Sequence, residues 1–490
     1  MRNYDVIAVG SGSAMYVVAP FLERNPEARA AVIDKDEPGG ICLTRGCIPS
    51  KLLIYPATLR RLAERGPGLG VDIRVAGVDF GRVMDRMRAS IGADIEAIRK
   101  HLSAAPNIDY FHGTAEFVAP RTLQVDSEQL SSERILLCTG SRPTIPPIPG
   151  LSEAGYLTSD TVLQLTELPE KIAIVGGGFI AAEYGHFFSA MGSLVTVIGR
   201  NARFLPTEEP EVSQLVETSV RRYLTLHTSC EVTRVQALPD GRCRLTTSDR
   251  TTGLVTHVDV DRILVAVGRE SNNDLLRLDR AGIATDPHGW IRVDEFLQTN
   301  QPGVWALGDA TGHFLFKHKA NQDAFVLEEN LVKGHRRRTD YHAVPHAVFT
   351  EPEVAAVGLG EREALEQLGA DRLLVGRYPF DKTAKGRAMG IREGFVKVLV
   401  EKGTYRIVGA HIVGPEAAIL LQEIVDLMYT PEQSSLPIRE GMHIHPALSE
   451  VVERAFEVLR PVGPFPHPAV EVSGTGGRGG ASTPSSDATQ

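Results

Sequence analysis

The 490-residue sequence has few cysteines, few aromatic residues, no strong excess of either charge and no long apolar run. No apolar run approaches the roughly 18 residues of a membrane-spanning helix. The net charge of −9 is spread along the chain without a basic stripe, so nucleic acid is not an expected partner. The basic run Arg336-Arg337-Arg338 is typical of a solvated loop. The composition, 42% apolar, is that of a globular protein, and the length predicts about three domains.

Only five cysteines are present, and Met1 to Gly10 reach aspartate and glycine too early for a secretory signal. We therefore expect a cytoplasmic protein, in which thiols stay reduced and any disulfide is a catalytic one. Cys138, Cys230 and Cys243 stand singly in the sequence. Only the remaining two cysteines are close together.

Those two cysteines lie within Gly39 to Lys51, with four residues between them. In a regular helix, positions five apart have Cα atoms roughly 8 to 9 Å apart, beyond the ~7 Å that a disulfide tolerates. A bridge between Cys42 and Cys47 therefore requires a helix to start or distort here, which Gly46 and Pro49 favour. A thiolate near a helix N-terminus is stabilised and reactive. We predict a redox pair; a structural bridge and a zinc site are the alternatives, and zinc lacks a second closely spaced ligand pair.

A glycine turn near the N-terminus predicts a dinucleotide site. A short apolar strand ends in Gly10-Ser11-Gly12, a turn that lets backbone N–H groups approach a pyrophosphate at a helix N-terminus. The next strand ends in Asp34, at the spacing where an acid binds ribose hydroxyls. Met15 departs from the pattern, because glycine or alanine at its place gives close packing of helix on strand. We expect looser packing with the phosphate contacts retained.

The same pattern recurs later in the chain. A strand over residues 171–175 is followed by the turn Gly176-Gly177-Gly178. The strand after it, residues 194–198, ends near Arg200 and Arg203, where an NAD-binding protein places an acid and an NADP-binding protein places cations. The arginines favour NADPH, with solvated surface as the alternative. Gly268 closes this second nucleotide domain.

The remaining chain predicts a return to the first domain and then a separate one. The run from Val304 to Ala310 places Asp309 at a strand end, so one nucleotide domain is inserted in the other. With the cysteine pair, this predicts electron flow from a nicotinamide to a flavin and a dithiol. The last third reads as α+β, with strands such as 353–358 and a helix over 417–428. There His445 and Glu450 have the spacing of an acid-base pair.

The chain from Tyr4 to about Leu459 resembles the pyridine nucleotide-disulfide oxidoreductase flavoproteins, which include dihydrolipoyl dehydrogenase, glutathione reductase and mycothione reductase. The motifs are Gly-Gly-x-Cys-x4-Cys-x-Pro-Ser-Lys at 39–51 and His-Pro-x-x-Ser-Glu at 445–450. The resemblance implies an α/β fold with two Rossmann-like dinucleotide-binding domains, the NAD(P) domain inserted in the FAD domain, and a C-terminal α+β dimerisation domain. The expected boundaries are 1–150 and 270–340 for FAD, 151–269 for NAD(P), 341–462 for dimerisation, and 463–490 for a disordered tail rich in Gly, Ser, Thr and Pro.

The resemblance also implies roles for individual residues. Cys47 would be the thiolate under the flavin, and Cys42 would exchange with substrate. Lys51 and Glu183 would form an ion pair near the flavin, and the partner subunit of a homodimer would supply its own copy of the histidine-glutamate pair. His443 matches no such role and is expected to be structural. The expected FAD contacts are Gly10, Gly12, Asp34, Lys51, Thr139, Gly140, Asp309 and Ala320, and the expected NAD(P) contacts are Gly176, Gly178, Arg200, Arg203 and Gly268.

Three functions follow from the resemblance. In the family default, a dihydrolipoyl group reduces the cysteine pair and hydride passes to NAD(P)+. In the alternative, NADPH reduces the pair and Cys42 attacks a low-molecular-weight disulfide of the mycothione or glutathione type. A third possibility is a flavoprotein that serves mainly as a docking subunit, which the complete set of catalytic residue types disfavours. Phe179 replaces the tyrosine that glutathione reductases often carry over the nicotinamide site. Mercuric reductase fits poorly, because no cysteine follows Cys243.

Overall fold

The structure is a computed structural model that describes residues 1–463. The tail that we predict to be disordered, residues 463–490, therefore lies outside the described residues except for Gly463. Within residues 1–463, no helix has both the length and the apolar character that crossing a membrane requires.

The N-terminal part of the chain builds a parallel sheet around the first glycine turn. Its elements are β1 (Arg2–Tyr4), β2 (Val6–Val9), α1 (Met15–Arg24), β3 (Ala30–Asp34), α2 (Gly40–Thr44), α3 (Cys47–Arg65), α4 (Phe80–Ala104), β4 (Ile108–His112), β5 (Ala115–Ala119), β6 (Thr122–Val125), β7 (Glu128–Ser132), β8 (Ile135–Leu137) and β9 (Ser141–Pro143). Strands β8, β2, β3 and β4 lie side by side and parallel, while β1 joins a small sheet with β7, β6 and β5. The four apolar residues of β2 are all buried, as expected for a parallel strand covered on both faces.

A second parallel sheet follows in the inserted part of the chain. Its elements are α5 (Leu151–Ala154), β10 (Lys171–Val175), α6 (Phe179–Met191), β11 (Leu194–Ile198), α7 (Pro210–Val220), β12 (Thr225–His227), β13 (Cys230–Ala237), β14 (Cys243–Asp249), β15 (Val255–Val260), β16 (Arg262–Val265) and β17 (Arg269–Ser271). The parallel order is β12-β11-β10-β16, and β13 to β15 form an antiparallel meander beside it. Both glycine turns therefore follow an inner strand of a parallel sheet.

The chain then returns to the first sheet. Strand β18 (Val304–Ala306) pairs in parallel with β8, Val304 lying opposite Ile135, and α8 (Lys317–Leu327) follows it. This pairing completes the five-stranded sheet β18-β8-β2-β3-β4 from two distant parts of the sequence. The predicted insertion of one nucleotide-binding domain in the other is confirmed, whereas the individual boundaries stay predictions.

The C-terminal part is an antiparallel sheet covered by helices. Its elements are β19 (His346–Val348), β20 (Glu353–Gly358), α9 (Glu361–Leu368), β21 (Leu373–Pro379), α10 (Ala384–Ala388), β22 (Phe395–Glu401), β23 (Ile407–Gly414), α11 (Ala417–Met428), α12 (Leu436–Glu440), α13 (Glu450–Glu457) and β24 (Arg460–Pro461). The order is β19-β20-β23-β22-β21-β24, and every residue of β22 and β23 is buried. The predicted α+β class of this region is confirmed.

A buried lysine joins the second nucleotide domain to the C-terminal sheet. The Nζ of Lys397 in β22 lies 2.6 Å from Glu209, 2.9 Å from Glu211 and 2.7 Å from Glu361. A buried cation is tolerated only when nearby charges and hydrogen bonds replace its water shell. Because two of the carboxylates precede or begin α7 and the third begins α9, the lysine holds these parts of the chain in one arrangement.

Candidate active site

The cysteine pair lies where two helices meet. Cys42 is in α2 and Cys47 is the first residue of α3, so the chain turns between them at Arg45 and Gly46. A side chain at Gly46 would crowd this turn, because a Cβ there would lie 2.9 Å from the carbonyl oxygen of Ile41. Both thiols are free, and they are hydrogen-bonded to each other. The helix therefore starts at the pair, as a bridge between these cysteines requires.

The two thiols differ electrostatically. The hydrogen bond from Cys42 lowers the pKa of Cys47 to about 6, and the Lys51 ammonium acts in the same direction. The same hydrogen bond, together with burial, raises the pKa of Cys42. Cys47 also lies at the N-terminus of a 19-residue helix, where the dipole stabilises an anion. At neutral pH, Cys47 is therefore a thiolate that accepts a hydrogen bond from the Cys42 thiol.

An ion pair fixes the lysine that follows the thiolate by one helical turn. The Nζ of Lys51 lies 2.8 Å from both carboxylate oxygens of Glu183 in α6. The same carboxylate accepts a hydrogen bond from the backbone N–H of Phe349 at 3.2 Å, and the Phe349 ring centroid lies 4.5 Å from the ammonium. The predicted pairing of Lys51 with Glu183 is present in the structure. The ion pair restrains the Lys51 side chain and so holds its positive charge close to Cys47.

A cleft connects the first glycine turn with the cysteine pair. Gly10 has a φ of +107°, and a Cβ there would lie 2.2 Å from the carbonyl oxygen of Cys138, so this turn requires glycine. The carboxylate of Asp34 accepts a hydrogen bond from the backbone N–H of Ser11 at 2.8 Å. Of the residues predicted to hold FAD, the cleft is lined by Gly10, Gly12, Asp34, Thr139, Gly140, Asp309 and Ala320, together with Cys42 and Cys47. Lys51 lies outside this lining.

The lining fits FAD along the length of the cleft. Asp34 offers a carboxylate for ribose hydroxyls, and the helices α1 and α8 begin at the cleft with backbone N–H groups suited to a diphosphate. Asp309 accepts a hydrogen bond from the Ser141 hydroxyl at 2.6 Å, and that hydroxyl accepts one from Arg269 at 2.7 Å, so the Asp309 carboxylate is held in place. The cysteine pair lines the same cleft, where an isoalloxazine would meet the thiolate.

Met15 lies at the start of α1, beside the first glycine turn. Its side chain is half-buried and packs against a core cluster to which β2 and β3 contribute, while the preceding Ala14 is fully buried. The small buried residue at the start of this helix is therefore Ala14, one position before the place where the pattern has glycine or alanine. The turn itself keeps its shape.

The second glycine turn repeats the backbone geometry of the first. Gly176 has a φ of +138°, and a Cβ there would lie 2.1 Å from the carbonyl oxygen of Ala266. Gly178 precedes α6, and a Cβ there would meet nothing within 4 Å, which leaves the helix N-terminus open. Gly268, with a φ of +128°, is similarly uncrowded. Arg200 and Arg203 follow β11 with exposed side chains, so they remain available to a nucleotide.

Aromatic rings from three parts of the chain stack beside the second turn. The Phe179 ring at the start of α6 lies 5.4 Å from His346 at an interplanar angle of 16°, and 6.5 Å from Phe316 at 18°. The Phe316 and His318 rings are also parallel, 5.3 Å apart. The imidazole of His346 lies 2.8 Å from a carboxylate oxygen of the buried Glu208. Phe179 thus joins the two nucleotide domains to the C-terminal sheet.

The histidine-glutamate pair forms within the C-terminal domain. The Nδ1 of His445 lies 2.7 Å from Glu450, the first residue of α13, and this hydrogen bond lowers the pKa of the carboxyl. The other oxygen of Glu450 accepts a hydrogen bond from the backbone N–H of Ala447 at 3.1 Å. Glu450 is buried, whereas 70% of the His445 side chain is exposed. His445 is not part of the lining of the cysteine cleft of its own chain.

Sequence reasoning missed three residues of the site. Lys317 lines the cleft and donates a hydrogen bond to the Ser13 hydroxyl at 2.8 Å, while burial lowers its pKa. Phe349 supports the lysine-glutamate pair, and Phe316 completes the aromatic stack. Ala320 was an expected FAD contact, but no role was expected for Lys317 or for the two phenylalanines, because long-range packing brings them to the site. Among residues 1–463, no three His, Cys, Asp or Glu side chains are placed to hold a metal ion.

Comparison with protein families finds matches for two parts of the chain. Residues 4–324 match the family described as pyridine nucleotide-disulphide oxidoreductase, and residues 344–456 match the dimerisation domain of the same family. Mycothione reductase from Mycobacterium tuberculosis is 36% identical over 478 residues, covering 94% of this chain and 100% of the relative. Dihydrolipoyl dehydrogenase from Chlamydia pneumoniae is 32% identical over 459 residues, covering 92% of this chain and 95% of the relative.

A solved structure has the same architecture. The HOCl-induced flavoprotein disulfide reductase RclA from Escherichia coli is 28% identical, with a TM-score of 0.82 over 93% of this chain and 100% of that protein. The arrangement of two nucleotide domains and a C-terminal sheet is therefore common to both proteins.

Proposed function

Because the chain belongs to the pyridine nucleotide-disulphide oxidoreductase family and is thus an FAD-dependent disulfide oxidoreductase, we propose that NADPH is its electron donor and a low-molecular-weight disulfide its substrate. The net reaction converts RSSR, NADPH and one proton into two RSH and NADP+. Bound FAD supplies the two-electron chemistry between nicotinamide and dithiol. The observation that carries the choice of NADPH is the pair of free arginines after β11.

Arg200 and Arg203 support binding of a phosphorylated ribose. Both side chains are exposed, and in the part of the chain that the structure describes neither forms an ion pair with a carboxylate. The backbone oxygen of Arg200 accepts a hydrogen bond from the Arg250 guanidinium at 2.9 Å, which adds a third cation to this loop. A ribose hydroxyl is bound by a carboxylate at this place, whereas a 2′-phosphate is matched by guanidinium groups.

The relationship to mycothione reductase supports a small disulfide as the substrate. The 36% identity to that protein extends over 94% of this chain and over all of the relative's own length.

The cysteines and the histidine divide the thiol chemistry between them. The reduced Cys42 attacks one sulfur of RSSR, which releases the first RSH and leaves a mixed disulfide on Cys42. Cys47, already a thiolate, attacks the Cys42 sulfur, which releases the second RS⁻ and closes the Cys42–Cys47 disulfide. His445, oriented by Glu450 through its Nδ1, accepts the Cys42 proton at Nε2 and gives it to the departing thiolate. The second RSH takes its proton from solvent.

A homodimer would bring the histidine to the thiols. The C-terminal domain matches the dimerisation domain of the family, and His445 is exposed rather than part of the cleft lining of its own chain. His445 of one subunit would therefore act at the cysteine pair of the other. We place this dimer in the reducing cytoplasm, where the pair is recycled rather than kept as a structural bridge.

Dihydrolipoyl oxidation is the second candidate. The relationship to dihydrolipoyl dehydrogenase over nearly the whole chain favours it. In that reaction the dithiol reduces the cysteine pair, and hydride leaves as NADH or NADPH. The same residues serve both directions, because each thiol exchange step is reversible.

The test compares substrates and nucleotides in one set of assays. We expect NADPH to exceed NADH in kcat/KM with oxidised glutathione, mycothione or lipoamide as acceptor. The double variant Arg200→Ala/Arg203→Ala should lose roughly 10²- to 10⁴-fold in kcat/KM for NADPH and little for NADH, since charged hydrogen bonds of this kind contribute about 1.5–3 kcal/mol each. Arg234→Ala, on the exposed face of β13, is the control. Equal use of both nucleotides, unaltered by the double variant, would refute the NADPH assignment. Faster oxidation of dihydrolipoamide than reduction of any disulfide would select the second candidate.

A further inference from the structure

His443 lies in the loop between α12 and α13, two residues before His445. Its Nε2 lies 3.6 Å from Glu423 of α11, and its Nδ1 lies 3.8 Å from Glu453 of α13. Only 12% of the His443 side chain is exposed. The adjacent Met442 and Ile444 are 102% and 79% exposed, respectively. The imidazole is therefore the inward-pointing side chain of a loop whose neighbouring residues face outward.

The loop has few other attachments before His445. Residues 441–449 belong to no helix or strand of the structure, which makes side-chain contacts the main restraint on this stretch. Glu450 holds the far side of the loop through His445 and Ala447, and Leu448 packs against the core of the domain. On the near side, His443 bridges the loop to two helices at once. The direction of the exposed His445 ring thus depends on anchors on both sides of it.

The near anchor consists of an imidazole placed between two carboxylates. Both contacts of the imidazole exceed hydrogen-bond length, and the buried Nδ1 has no hydrogen-bond partner, so the ring is held by its position between the carboxylates rather than by a directional hydrogen bond. Burial raises the pKa of the Glu423 carboxyl, and the nearby imidazole opposes that rise. If the imidazole were removed, two carboxylates would face each other in a partly buried site, which is unfavourable.

We propose that His443, held between Glu423 and Glu453, is a positioning residue that fixes the loop so that His445 presents its Nε2 to the thiol site. The inference rests on the proposed function of His445 as the acid-base residue of the thiol reaction. His443 touches neither thiol nor nucleotide in this arrangement. Its effect on catalysis passes through the geometry of the loop.

The first experiment separates the thiol reaction from electron uptake. His443→Gln removes the imidazole from between the two carboxylates and keeps much of the side-chain volume. We expect kcat with NADPH and oxidised glutathione or lipoamide to fall on the order of 10- to 100-fold, because a misplacement of about 1 Å costs that much. Reduction of ferricyanide by NADPH, which needs no acid-base residue at the thiols, should stay within about twofold, since only the loop is disturbed.

A second substitution tests whether the two carboxylates, rather than the lost volume of the imidazole, disturb the loop. In the His443→Gln background, Glu453→Gln removes one of the two facing carboxylates and should recover at least about half of the lost free energy of activation, because that repulsion is relieved. The matched control is Glu457→Gln in the same background. Glu457 lies on the same helix, faces Arg454 and is exposed, so it should give no recovery. Equal recovery by both substitutions would overturn the proposal.

Amide hydrogen exchange gives a readout that needs no substrate. In the intact FAD-loaded protein, residues 441–449 should exchange at least about tenfold faster in His443→Gln, and the Glu453→Gln double variant should restore protection. Unchanged exchange, or equal loss of the ferricyanide and thiol reactions, would overturn the positioning role. A wild-type protein that turns over no thiol or disulfide, yet shows this loosening and its recovery, would refute the proposed function and leave the loop anchor intact.

Discussion

The cysteine pair and the His445–Glu450 pair are built in opposite ways. The thiols lie at a helix start, beside a lysine that is paired with a carboxylate of the same chain. The hydrogen bond from Cys42 and the Lys51 ammonium lower the pKa of Cys47 to about 6 before any substrate arrives. His445, by contrast, has a buried carboxylate behind it and a side chain that is 70% exposed. The groups that act on the thiolate are already in contact with it, whereas His445 is directed towards solvent.

The difference shows what each centre needs in order to work. A thiolate at neutral pH requires an environment that favours charge, and the Cys42 hydrogen bond, the Lys51 ammonium and the helix dipole provide it against the opposing effect of burial. An acid-base histidine needs access to the group that it protonates, and exposure provides it. The first centre therefore depends on the fold of the chain, and the second depends on which surface comes to cover it.

Replacing Cys42, which exchanges with substrate, should have the largest effect on the difference between the two centres. Cys42→Ser removes the nucleophile that attacks the disulfide, so turnover with disulfide substrates should fall to the background rate. The serine hydroxyl still donates a hydrogen bond to Cys47, so FAD binding and the Cys47 thiolate should survive. Steady-state rates and the flavin spectrum measure the two parts. Full turnover with a disulfide substrate in this variant would contradict the role given to Cys42.

Removing the exposed imidazole should be the next largest effect. His445→Ala should lower turnover of the thiol reaction by roughly 10²- to 10⁴-fold, the usual contribution of a positioned acid-base group. Reduction of the protein by NADPH in a single turnover should remain nearly normal, because the imidazole serves only the thiols. Rapid-mixing absorbance separates the two steps. An equal slowing of both would show that the two centres are not independent.

A smaller change should sharpen the comparison by shifting the thiolate alone. Lys51→Gln removes the cation beside Cys47, so the pKa of that thiol should rise by about one unit. Because the thiolate is the form present above the pKa, its long-wavelength absorbance with oxidised flavin should appear at a higher pH than in the wild type. Lys100→Gln, an exposed lysine of α4, is the control. An unchanged midpoint would mean that the Cys42 hydrogen bond alone holds the thiolate.

Local pattern predicted much of the fold. The strands over 171–175, 194–198 and 353–358 and the helix over 417–428 have the bounds that their apolar periodicity predicts. The helix after the cysteines begins at Cys47, as a bridge between the two cysteines requires. Pro49 lies in its first turn, where proline is compatible with a helix.

Long-range packing decided the parts that pattern could not. Phe349 reaches the lysine-glutamate pair from the C-terminal part of the chain, and Lys317 meets Ser13 across more than half of the sequence. Neither residue stands in a motif with its partner. His443 was expected to be structural because it matches no role that the resemblance implies, and its two carboxylates come from separate helices.

The sequence by itself determined the chemistry that is local to a turn: the two glycine turns, the cysteine pair at a helix start and the histidine five residues before its glutamate. Each of these depends on backbone angles and spacings within a few residues, which the sequence specifies directly. Only the tertiary structure decided which groups surround them, including the stack of Phe179 on His346 and the exposure of His445. Those contacts join residues far apart in the chain, and their geometry arises when the sheets and helices pack.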